Sequence, residues 1–193
     1  MLDNVYMTQD GGTRARLVQA GVDLLEDGGL PAVGLRAITR AAGVSHGAPR
    51  RYFATHRALL AAIAEAGFAD LRAELEPALS GNGVSSSTEA RGRLLEMARL
   101  YVDFARRRPD MFALIFRHDL LEGAGENLRE KTVPVVDALA RLIGGQEEMH
   151  RALGFWTSVH GIAMLTSTRA LELFDADVDA LVAAAVDSVD AAT

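Results

Sequence analysis

The sequence contains no cysteine, and that one absence excludes disulfides, thiolate nucleophiles and cysteine-ligated zinc together. It also lacks any apolar run approaching the ~20 residues that cross a bilayer. Met1 to Gly12 has neither the basic start nor the apolar stretch of a signal peptide. A cytoplasmic setting with no membrane attachment is therefore expected. Sustained apolar–polar alternation, the mark of a half-buried strand, is missing too. The last absence is one of charge. Between Gly28 and Ala64 there is no Asp or Glu, while Arg36, Arg40, Arg50, Arg51 and Arg57 give the segment +5, leaving −11 for the rest of a chain whose total is −6. A basic patch on an acidic body suits phosphate binding, because local potential and counterion release act at the contact face.

What is present is ordinary for a globular protein: 193 residues, 49% hydrophobic and 24% charged. Apolar residues recur at helical spacing nearly throughout, which predicts an all-α fold of about nine helices. Thr13 is the expected cap of a first helix bearing Leu17, Ala20, Gly21, Leu24 and Leu25, stopped at Gly28-Gly29. A short helix from Leu35 to Ala42 should end at Gly43. Ser45 should cap the next, running towards Phe53, and Thr55 a longer fourth helix carrying Leu59, Leu60, Ile63, Gly67 and Leu71.

Residues 80–88 read as a loop, after which Ser86 and Glu89 resemble a capping box opening a fifth helix from Ser87 to Arg107. Pro109 should end that helix, and a short sixth holds Met111, Phe112, Ile115 and Phe116. Further helices are expected from Glu126 to Ile143, with Pro134 as a start or kink, and without interruption from Gln146 to Phe174. A last one should begin at Asp175 or Asp177 and bear Val178, Leu181, Val182, Ala185 and Val189.

Two short helices meeting at Gly43-Val44-Ser45, with a longer helix behind them, have the form of a helix-turn-helix whose second helix enters the major groove. That second helix carries Ser45, His46, Gly47, Ala48, Arg50 and Arg51, donors and small residues that leave room for base edges; Arg suits guanine bidentately. Gly43-Val44-Ser45-His46-Gly47 also fits the Gly-x-Ser-x-Gly elbow of serine hydrolases, but that motif needs a strand before its serine, and Leu35 to Ala42 has helical spacing. His46, His56, His118, His150 and His160 include no pair at the three- or four-residue spacing of a helical metal site. His118 and Asp119 with Glu122 offer a weak divalent-cation site or, as the preferred reading, a solvated acidic helix end. Neither an enzyme, nor a metal site, nor a cofactor is expected.

Thr13-Arg14-Ala15-Arg16-Leu17 resembles the opening of the first helix of TetR family regulators, and the run from Leu35 to Pro49 resembles their helix-turn-helix. Arg51, Tyr52, Phe53 and Leu59-Leu60 continue the pattern, and Trp156-Thr157-Ser158-Val159-His160-Gly161 is similar to the Trp-x-x-x-His-Gly signature of one C-terminal regulatory domain in that family. The chain departs from relatives at Gly34, where a Ser or Thr cap is usual, at Arg50, where an aromatic is common, and at His56, where a Lys is common.

The resemblance implies a DNA-binding helix-turn-helix domain over residues 1–64 and a regulatory, ligand-binding and dimerisation domain over 65–193. It also implies a homodimeric repressor, joined mainly through its last two helices, that binds a near-palindromic double-stranded DNA operator and leaves it when a small hydrophobic effector binds. Arg36, Ser45, His46, Gly47, Ala48, Arg50, Arg51, Tyr52 and His56 are the expected DNA contacts. Phe104, Met111, Phe112, Phe116, Trp156 and His160 are the expected effector contacts, with an ordinary filled core as the alternative for all of them, His160 included. Small and apolar residues on the last helices, Val159, Ala163, Leu181, Ala185 and Val189, are expected at the dimer contact.

Overall fold

The computed structural model describes residues 3–80, 86–121, 128–145 and 148–190. Among these, ten α-helices and no strands occur: α1 (Asp3–Ala32), α2 (Leu35–Ala41), α3 (Pro49–Tyr52), α4 (His56–Leu79), α5 (Ser87–Arg107), α6 (Pro109–Ile115), α7 (His118–Leu121), α8 (Leu128–Ile143), α9 (Met149–Ser167) and α10 (Val178–Asp190). A 3₁₀ turn, Ala170–Phe174, stands between α9 and α10. Residues 81–85 of the expected loop, and the expected helix starts at Glu126 and Gln146, lie outside the described residues.

The helices fall into two compact units, one within Met1–Ala69 and Asp110–Glu126, the other within Asp70–Pro109 and Asn127–Thr193. In the first, Leu17, Leu25, Ile38, Leu59 and Ile63 are fully buried, with Val33 and Phe53 beside them; each such side chain contributes roughly 1.5–3 kcal/mol on leaving water. The helices α1 and α4 approach at Gly21, where a Cβ would run into the Ile63 side chain. Gly29 (φ 66°) breaks α1 at the expected Gly28-Gly29 stop. Its start differs from expectation, because α1 is already helical at Asp3 and Thr13 lies inside it, the hydroxyl accepting from Arg16 Nη2 at 3.4 Å. Lengthening a packed helix requires no new nucleus, so a local cap signal need not mark its start.

Local chemistry sets other boundaries as the sequence suggests. Ala58 N–H donates to Thr55 Oγ1 (3.0 Å) at the head of α4, and Glu89 N–H to Ser86 Oγ (3.2 Å) at the head of α5. Ala180 N–H donates to Asp177 Oδ1 (3.1 Å) before α10. α7 is an additional short helix beyond those expected; its Asp119 carboxylate accepts from Arg117 Nε and Nη2 at 2.8 and 2.9 Å. Glu122 lies outside the described residues.

In the second unit α9 packs on α5, α8 and α10, and α5 packs on α10. Phe104, Met97, Leu139, Phe155, Val182 and Val186 form much of the core. Two sequence expectations are corrected here. Val159, Ala163, Ala185 and Val189 are buried within the single chain and cannot meet a partner; on α9, α10 and the turn between them, the exposed large apolar residues are Leu153, Met164, Leu165, Leu173, Phe174 and Leu181. The stretch to Phe174 is not one helix, since α9 ends at Ser167. There Thr166 Oγ1 donates to Ile162 O (2.8 Å), Ser167 Oγ to Met164 O (2.9 Å) and Thr168 Oγ1 to Met164 O (3.1 Å), loading the last carbonyls with side-chain bonds, and Arg169 turns left-handed at φ 61°.

Candidate nucleic-acid interface and effector site

The helix-turn-helix is built from α2, a glycine turn and α3. Gly34 caps α2 in extended backbone with no side-chain bond, as a glycine at that position must. At the other end Gly43 adopts φ 63°, and Val44 N–H donates to Thr39 O at 3.0 Å. Thr39 is buried, donates to Arg36 O at 3.1 Å, and stands 3.5 Å from His46 Nδ1.

The recognition helix starts later than expected. Ser45 is not its cap: residues 46–48 form a turn, and the helix is Pro49–Tyr52 with Ala48 as N-cap. Pro49 has no N–H to give to Ser45 O, which instead accepts from Ala48 N–H at 2.9 Å. The regular ladder therefore begins only at the proline, whose fixed φ suits a first helical position.

Arg36, Ser45, His46, Gly47, Arg50 and Arg51 are exposed; Ala48, Tyr52 and His56 are partly so; Pro49 and Phe53 are buried and anchor the helix. Arg14 of α1 lies over the Phe53 ring at 5.3 Å, adding a guanidinium beside this surface. His56 Nε2 donates to Val33 O at 2.9 Å, so Nδ1 can give a hydrogen bond to an anion only when the ring is protonated. Arg57 Nε donates to Leu120 O at 2.9 Å.

The six expected effector residues divide between the units: Met111, Phe112 and Phe116 belong to the first, Phe104, Trp156 and His160 to the second. Phe104, Met111 and Phe112 have no exposed surface. A Cβ on Gly67 would collide with Met111, and the Phe112 and Phe116 rings lie 5.0 Å apart at 58°; these are packing contacts. The polar chemistry is around His160. The Trp156 and His160 rings stack at 5.3 Å and 27°, and Tyr101 OH lies 2.8 Å from His160 Nδ1.

The indole N–H can only donate, so Tyr101 oxygen accepts from Trp156 and gives its own hydrogen to His160 Nδ1, which leaves the imidazole hydrogen on Nε2. Burial raises the Tyr101 pKa against the opposing Trp156 hydrogen bond, and desolvation lowers that of His160, so burial favours the neutral form of each. Tyr101 was not among the expected site residues. Its sequence signal is only a place on the α5 stripe, and its role depends on α5 packing against α9.

Two clefts indent the second unit. One, of about 460 Å³, is lined by residues that include Arg99, Leu100, Val102, Arg106, Val178 and Val182. The other, of about 640 Å³, shares Arg106, Thr166 and Val178 with it and continues past Leu171, Glu172 and Asp175. None of the six expected effector residues lines either cleft.

Residues 17–63 match the family described as bacterial regulatory proteins, tetR family, and residues 94–189 match the tetracyclin repressor-like C-terminal domain. Among curated proteins none matches. A protein of unknown function from Rhodococcus sp. RHA1 is 32% identical, with 92% of this chain and 93% of that one covered and a TM-score of 0.74. BioQ, whose structure contains its double-stranded DNA operator, is 18% identical over 91% of this chain and 96% of its own, with a TM-score of 0.61. The multidrug binding protein EbrR, complexed with ethidium, is 16% identical over 92% and 97% of the two chains, with a TM-score of 0.64. With its helix-turn-helix and its C-terminal bundle both matched, this chain belongs to the TetR family of transcriptional regulators, which bind DNA and are not enzymes.

Proposed function

We propose that the chain is a cytoplasmic, ligand-responsive repressor that binds a near-palindromic operator as a homodimer and is released by a small, largely hydrophobic effector. Residues 1–64 act as the DNA-binding domain and 65–193 as the regulatory and dimerisation domain. One observation carries the reading: the exposed face of Arg36, His46, Arg50 and Arg51 lies in a segment with no carboxylate from Gly28 to Ala64. Arg50 and Arg51 reach base edges, as does His46, while Tyr52 and the head of α4 meet phosphate. The operator in the BioQ structure supports this mode of binding.

The effector is read by Trp156 and His160, with Tyr101 holding the imidazole. The ethidium complex of EbrR supports a largely apolar guest. Effector binding selects a dimer whose two recognition helices no longer match the operator spacing. Duplexes selected from random sequence by the purified protein test the reading, since they should converge on a near-palindrome; recovery of no preferred duplex would refute it.

A further inference from the structure

Apart from Tyr101, Thr39 is the one buried polar residue among the described ones, with 1% of its surface exposed. A buried hydroxyl costs free energy unless it is hydrogen-bonded, and valine would fill the same space without that cost. Two polar partners are within reach of the Thr39 hydroxyl. Its single hydrogen goes to Arg36 O at 3.1 Å, since a carbonyl can only accept. Oγ1 therefore faces the second partner, His46 Nδ1 at 3.5 Å, as an acceptor, and Nδ1 carries the imidazole hydrogen. The lone pair of the neutral ring is left on Nε2.

Anchored at Nδ1 on a buried oxygen, the ring of the exposed His46 turns Nε2 outward. Val44 N–H donates to Thr39 O at 3.0 Å, so one residue holds both the glycine turn and the ring beyond it. Gly47, the next residue, has no left-handed φ, and nothing lies within 4 Å of a Cβ built on it. Neither conformation nor packing within the chain requires glycine there. Its missing side chain leaves open surface beside His46, where a base edge can come close to the backbone. In the major groove the base donors are the exocyclic amino groups, N6 of adenine and N4 of cytosine, while guanine N7 and O6 and thymine O4 accept. An outward lone pair matches an amino group and opposes the acceptors, the reverse of what Arg50 and Arg51 offer.

We propose that His46 reads the exocyclic amino group of an adenine or a cytosine through Nε2, with Thr39 as the positioning residue that sets the tautomer of the ring. This rests on the operator binding of the proposed function and adds to it the base chemistry that one residue selects. The test uses the duplex that the purified parent selects, and fluorescence anisotropy. His46→Ala, a change on the surface, locates the base pair concerned as the one whose preference it relaxes. That pair is then remade without its amino group, with purine for adenine or 2-pyrimidinone for cytosine. The parent should lose about tenfold in affinity for the remade duplex, and His46→Ala should lose nothing comparable. Thr39→Val and Thr39→Ala should behave like His46→Ala, whereas Thr39→Ser, which keeps the hydroxyl, should behave like the parent. A Thr39 that served the fold alone would change affinity for both duplexes equally and leave the tenfold difference in place.

A parent that prefers a duplex but binds it as well without the amino group, or that loses no more than His46→Ala does, overturns the assignment and leaves operator binding standing. So does a His46→Ala variant that relaxes no position. Thr39→Val and Thr39→Ala variants that keep the parent's tenfold difference overturn the role of Thr39. A parent that selects no preferred duplex overturns both readings.

Discussion

Arg50 and Arg51 place two exposed guanidiniums on a single turn of helix, and the proposed base recognition rests on them. A side chain bidentate to guanine discriminates against the wrong base by about 1–3 kcal/mol, so Arg50→Ala should cost about that much and relax one operator position. Removal of a phosphate contact should weaken all duplexes alike, and fluorescence anisotropy against single-base operator variants separates the two. At His160 the prediction concerns pH. Its folded pKa lies below the ordinary 6.5 because burial penalises the charged ring. The unfolded chain therefore takes up the proton first, and stability present above pH 6.5 is lost as the pH falls from there towards the folded pKa. Urea midpoints measured from about pH 7.5 downward should fall less steeply in His160→Gln than in the parent; identical slopes would show that the ring makes no such contribution.

Glycines act at the scale of elements, and two of them act for different reasons. Gly43 sits at φ 63° with nothing within 4 Å of a would-be Cβ, so Gly43→Ala should cost about 1 kcal/mol through conformation alone. Gly21 is ordinary helix, but a Cβ there meets Ile63, and Gly21→Ala should cost about 1–3 kcal/mol through overpacking. Thermal or urea unfolding of the two variants checks both; a neutral Gly21→Ala would mean that α1 and α4 can separate freely. The same scale explains what the sequence made legible. The turn at Gly43 and the caps at Thr55 and Ser86 follow from chemistry within a few residues, so they could be read directly. The end of α9 could not, because a run of Thr and Ser is compatible with helix until its hydroxyls take the carbonyls and Arg169 turns left-handed. Of the five residues expected at the dimer contact, Leu181 is exposed and the other four are buried, for a related reason: helical spacing identifies an apolar face, while only packing tells whether Val159 and Ala163 face the chain's own helices. Tyr101 escaped notice in the same way, since its hydroxyl gains meaning only from His160, 59 residues away.

For the whole molecule, one carboxylate-free segment reconciles a net charge of −6 with a DNA-binding role. Counterion release makes such binding steeply dependent on salt even when the protein as a whole is acidic, because the neutralised phosphates are those at the contact face. The most direct test is the affinity of the purified protein for its selected duplex across a salt gradient, measured in parallel for the Arg50→Ala, Arg51→Ala double variant. Binding should be tight and weaken log-linearly with salt, and the double variant should show a shallower slope and lose its preference over random duplex. Salt-independent binding, or a double variant with unchanged affinity and preference, would contradict the DNA-binding role.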